Sequence, residues 1–74
     1  MAGMSNYVAQ TMALRDQIQM MGVRDPVAHI ERPGGGDPPR WVFVDGHVAR
    51  GGAEATAYLR GMVAGLQAAG ANLP

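Results

Sequence analysis

The chain is predicted to be a small α+β domain in the order helix, three-stranded antiparallel sheet, helix (α-β-β-β-α), with both helices packed on one sheet face. Three observations lead there. Apolar residues recur at helical spacing near both ends of the chain, and two β-prone runs flank an Asp45-Gly46 pair. Between the first helix and those runs lies Pro33-Gly34-Gly35-Gly36-Asp37-Pro38-Pro39, a segment that can hold neither a helix nor a strand ladder. At 74 residues the chain has room for one core, because a domain of this size buries only about 60% of the surface its unfolded form exposes.

Residues 1–4 are expected to form a flexible start. Ser5 is a good N-cap, and from Asn6 to Met21 the stripe Tyr7, Leu14, Ile18 and Met21, with Val8 and Met12 beside it, has helical spacing. Gln10, Arg15, Asp16, Gln17 and Gln19 occupy the other face, so the helix is amphipathic. The Met20-Met21 pair is expected to fill gaps in the core, and Gly22 to end the helix as a C-terminal cap. Arg24-Asp25-Pro26 reads as a turn, followed by a short strand from Val27 to Arg32.

The hairpin is the strongest local signal. Trp41-Val42-Phe43-Val44 and His47-Val48-Ala49-Arg50 flank Asp45-Gly46, which suits the positive φ angles of a two-residue type I′ turn. That register sets Trp41 opposite Arg50, Val42 opposite Ala49 and Phe43 opposite Val48. Trp41, Phe43, Val48 and Arg50 then share one face, and Val42, Val44, His47 and Ala49 the other. Both faces carry apolar residues, so the one the helices leave uncovered is a candidate interaction surface. After Gly51-Gly52, residues Ala53 to Ala69 read as the second helix, closed by Gly70. Its large residues Leu59, Met62, Val63 and Leu66 make one stripe, with Tyr58 at its edge. Its small residues Ala53, Ala57, Gly61 and Gly65 make another, suited either to close internal packing or to a seam against a second copy.

Composition narrows the function. Cysteine is absent, which removes disulfides and thiolate metal sites and leaves subunit association or a bound partner as the supplement to a small core. The formal charge is zero, so bulk attraction to nucleic acid or anionic lipid is not suggested. All six basic residues are arginine, a pattern that fits a GC-rich genome and also suits bidentate contacts with carboxylates or phosphates. No signal peptide or membrane span is recognisable, so an intracellular, cytoplasmic protein is expected. His29 and His47 lack acidic neighbours at metal-ligand spacing, and Ser5 and the two threonines lack a base placed near them; an enzyme, a metal and a cofactor are not expected.

The element order, with a glycine turn leading into an alanine-rich second helix, resembles the double-stranded RNA-binding domain in topology. In that family lysines at the start of the second helix contact phosphates. Here those positions read Gly52-Ala53-Glu54-Ala55-Thr56, without a lysine, so the resemblance extends to topology and RNA binding is not expected.

The residues point instead to a compact protein-interaction module, an inhibitor or adaptor. In format the chain resembles the small phage-encoded proteins that block a host defence complex. Trp41 and Phe43, if exposed, are the candidate anchors, flanked by Arg40 and Arg50. Asp37 and its loop would form a second contact, and Ala57, Gly61 and Gly65 a homo-oligomer seam. Two alternatives remain. One is a small oligomer binding a nucleotide or other anion at Arg50, Gly51 and Gly52, ahead of the second helix. The other is a structural subunit of a larger assembly.

Overall fold

The computed structural model describes residues 2–70, with side chains from Tyr7 onward. Its elements are α1 (Ala2–Met20), β1 (Val27–Glu31), β2 (Arg40–Phe43), β3 (Val48–Arg50) and α2 (Gly52–Ala68). They form the expected α-β-β-β-α arrangement, a sheet in the order β1-β2-β3 with both pairings antiparallel. The helices pack on each other and cover one face of the sheet.

α1 begins before Ser5, so that residue does not cap it; Ala2 and Met4 are good helix formers and extend the helix toward the N-terminus. Met1, part of the start expected to be flexible, lies outside the described residues, as do residues 71–74. The inward stripe of α1 is built from Thr11 and Ile18, both buried, with Leu14 and Met21 half-buried; Tyr7 is exposed. The Thr11 hydroxyl is satisfied by donating to the Val8 carbonyl at 2.8 Å.

Gly22 ends the helix as predicted. With φ at 87° it lets its own N–H reach the Gln19 carbonyl at 2.9 Å and the Val23 N–H reach the Ile18 carbonyl at 3.3 Å. This is the paired Schellman closure. It turns Met21 toward the core and leaves Met20, one step round the helix, 87% exposed, which corrects the expectation that both methionines are buried. Arg15 then grips Asp25 with two bonds of 3.1 and 2.7 Å, while the Asp25 carboxylate also accepts the Val27 N–H at 3.0 Å. The Arg24-Asp25-Pro26 turn is thereby tied to α1 and hands the chain into β1.

The hairpin register differs from the prediction by one residue. Arg40 lies opposite Arg50, Trp41 opposite Ala49 and Val42 opposite Val48. The Gly46 N–H donates to the Phe43 carbonyl at 3.0 Å and the Phe43 N–H to the His47 carbonyl at 2.8 Å, enclosing a three-residue loop, Val44-Asp45-Gly46. Only Gly46 takes a positive φ, 94°, because among the described residues no side-chain-bearing residue adopts one. A type I′ turn would require it of Asp45 as well. With Asp45 in an ordinary conformation its carboxylate accepts the His47 N–H at 2.8 Å, and the chain closes through a glycine bulge.

A slip of one residue carries every side chain of a strand to the opposite face. Val48 and Arg50 therefore leave the Trp41 face, and Ala49 enters it. The core consists of Ile18, Val27, Trp41, Phe43, Ala49, Ala55, Leu59 and Val63. Phe43 and Trp41 are 1% and 3% exposed, so the condition for their serving as partner anchors is not met. They are the chain's one tryptophan and one phenylalanine, and the helices lie on their face.

Candidate functional site

With Trp41, Phe43 and Ala49 turned inward, alternation places Arg40, Val42, Val48 and Arg50 on the outer face, alongside His29 and Glu31 of β1. The register sets them in two rows across the strands. Glu31, Arg40 and Arg50 form one, and His29, Val42 and Val48 the other. The Glu31 carboxylate is shared, with one oxygen 3.7 Å from the Arg40 guanidinium and the other 3.2 Å from His29 Nε2. Arg50 has no ion-pair partner among the described residues. Val48 is 44% exposed and Val44, at the hairpin tip, 61% exposed. Two of the predicted contact residues, Arg40 and Arg50, are thus brought side by side, while Trp41 and Phe43, predicted with them, lie on the reverse of the same sheet.

Asp37 belongs to a second region, at the end of the sheet. There the Pro38-Pro39 segment, the start of α2 and the Tyr7-Val8 turn of α1 enclose an apolar cleft of about 310 Å³. The Gly51 N–H donates to the Pro39 carbonyl at 2.8 Å, which fastens the loop to the strand end. The two glycines of the pair serve different needs. Gly51 takes a φ of 89°, as the N-cap of a helix entered sharply from β3. Gly52 is helical, and a Cβ there would sit 2.4 Å from the Tyr7 Cβ, so the two helices approach too closely for any side chain. An anion at this helix start would meet a carboxylate of the chain itself, since Glu54 reaches back to accept the Arg50 N–H at 3.2 Å. The Arg50 side chain faces outward, away from the cleft.

Ala57, Gly61 and Gly65 lie on the exposed face of α2. A Cβ at Gly61 or Gly65 would meet no atom within 4 Å, so these glycines are not needed for close packing within the chain. Gly65 also borders an apolar groove of about 400 Å³, where Met62 and Leu66 of α2 face Ile18, Val23, Pro26 and Val44.

One cluster was not anticipated from the sequence. The Tyr58 hydroxyl donates to Asp45, whose other carboxylate oxygen holds the His47 N–H. The Tyr58 ring stacks on His47 with centroids 3.8 Å apart and meets Phe43 edge-on at 4.6 Å. The hydrogen bond from Tyr58, followed by that from the His47 backbone, holds the Asp45 carboxyl below the usual carboxylate range. The same bond to Asp45 pushes the Tyr58 phenol above its ordinary value. The cluster pins the hairpin tip to α2. Nothing in the spacing of residues 45, 47 and 58 signals it, because it depends on the register of the turn.

Among the described residues no three histidine, aspartate or glutamate side chains are grouped to hold a metal ion, and no helix is long and apolar enough to cross a membrane. No known protein family, curated protein or solved structure matches the chain.

Proposed function

We propose that this protein is a non-enzymatic interaction module, an inhibitor or adaptor, that docks on an acidic surface of a larger protein complex through the outer face of its sheet. The observation that carries the reading is the cross-strand pair Arg40 and Arg50. Like charges directly opposite on neighbouring strands destabilise a sheet, and the one carboxylate in their row, Glu31, lies beyond Arg40 rather than between them. A partner carboxylate laid across both guanidinium groups would relieve the repulsion, and arginine is suited to it by its planar donor fork. Val42 and Val48 in the next row supply apolar area beside the charges. A small phage-encoded inhibitor of a host complex is one concrete form such a module takes.

The reading is tested by cross-linking in a lysate of the natural host, comparing the wild type with Arg50→Glu on the outer face and Ala57→Glu on α2. Loss of one and the same captured protein with Arg50→Glu, and its retention with Ala57→Glu, is the expected result. Equal capture by all three proteins refutes docking through the sheet face.

A further inference from the structure

The two edges of the sheet are finished differently. At β3 the edge is closed, because α2 packs on the strand and Glu54 accepts the outward N–H of Arg50 at 3.2 Å. At β1 it is open. On β2, Phe43 and the adjoining Pro39 bond to His47 and Gly51 on the β3 side, whereas Val44 bonds to Pro26 on the β1 side. Odd-numbered residues of this strand therefore address β3 and even-numbered ones β1, the alternation of an antiparallel ladder. His29 and Glu31, opposite Val42 and Arg40, take those bonds, and the N–H and C=O of Ile30 between them point out of the sheet. Outside the ladder no backbone hydrogen bond reaches Ile30 among the described residues. Unpaired main-chain groups along an edge are a template for another strand.

The open stretch is bounded on both sides. The bulge between Val27 and His29 breaks the ladder before it, and Pro33, without an N–H, ends it. Ile30 stands at the midpoint of the segment left between them, Ala28 to Arg32. From these we infer that β1 pairs antiparallel with β1 of a second copy about a twofold axis at Ile30, so that two three-stranded sheets become one of six strands. Each Ile30 N–H donates to the other's carbonyl. In that register His29 of each copy lies opposite the partner's Glu31 on the outer face, and Arg32 lies opposite the small Ala28. His29 Nε2 already meets the Glu31 carboxylate within the chain at 3.2 Å, so the same chemistry is repeated across the axis. A parallel partner in register would instead set carboxylate beside carboxylate, and like charges opposite each other weaken a sheet. On the inner face the half-buried Ile30 meets its counterpart, which adds apolar contact to the main-chain bonds. The edge is separate from the outer-face pair Arg40 and Arg50, so the pairing of copies and the docking on a larger complex stand or fall independently.

The test follows the ¹⁵N-labelled protein through a concentration series by light scattering and by amide hydrogen exchange. The mass is expected to rise from the 7.8 kDa of one chain toward twice that value. Exchange at the Ile30 amide is expected to slow in step, by about tenfold when about nine-tenths of the chains are paired, because only the unpaired fraction exposes it. The Glu31 amide, bonded to β2 within one chain, is slow throughout. His29→Glu, at an exposed position, sets carboxylates opposite each other at both symmetric positions and should weaken the pairing roughly tenfold while the circular dichroism spectrum is retained. A protein still monomeric at millimolar concentration, or a dimer whose Ile30 amide exchanges as fast as in dilute solution, overturns the inference. Both of those readouts come from the wild type and do not depend on a variant folding.

Discussion

Replacing Gly61 and Gly65 together by alanine should make the protein more stable. Both lie inside α2, on its solvent side, with helical backbone and open space where a Cβ would stand. Glycine in a helix interior is less favourable than alanine by about 0.5 to 1 kcal/mol, chiefly because the unfolded chain has more freedom to lose. The new methyl groups touch nothing, so no clash offsets the gain, and for the pair it amounts to about 1 to 2 kcal/mol. For a domain of this size each kcal/mol raises Tm by roughly 4 to 8 °C, which places the double variant about 4 to 16 °C above the wild type. Thermal unfolding followed by circular dichroism, at several protein concentrations, measures it. A double variant no more stable than the wild type refutes the reasoning. If the loss of stability grows with concentration, and light scattering shows a wild-type dimer that the variant does not form, the glycines serve a seam between copies.

Gly52→Ala should act in the opposite sense, because its Cβ would stand 2.4 Å from the Cβ of Tyr7, an atom fixed by the backbone of α1. An overpacking penalty of about 1 to 3 kcal/mol should lower the urea midpoint at unchanged m-value, and an unshifted midpoint would contradict the close approach of the helices. Tyr58→Phe should flatten both limbs of the stability profile against pH. Asp45 has a folded pKa below its ordinary 3.8, so its contribution is present above that value and fades on acidification through the lower folded one. Tyr58 has a folded pKa above 10.0, so its contribution is complete below pH 10.0 and is lost as pH rises through the folded value. Denaturation midpoints across the pH range that run parallel in wild type and variant would show that the link between them carries no stability.

Much of the fold was legible in residue patterns because the signals are local. The element order, the Gly22 closure and the turn before β1 rest on helical periodicity, on a glycine able to take a positive φ and on proline's restriction of its neighbour. Candidate site residues were legible in part. Arg40 and Arg50 stand opposite each other beside the hairpin, while Trp41 and Phe43, read as sharing their surface, lie on the reverse of the sheet. The difference between a two-residue and a three-residue loop is one residue, and Asp45-Gly46 suits both.

What the sequence determined alone is therefore the list and order of elements and, by composition, the absence of cysteine chemistry, while the glycine and proline positions marked where the chain turns without fixing the length of the hairpin loop. Tertiary structure decided which side of the sheet is the core. Both faces of the hairpin carry apolar residues, so pattern alone could not choose between them. The helices took the face with Trp41 and Phe43, and the turn, with Asp45 in an ordinary backbone conformation and accepting the Tyr58 hydroxyl from α2, decided which face of β3 joined it. That register set Ala49, and not Arg50, beside the inward-facing Trp41 and left Arg50 on the outer face with Arg40 and the valines.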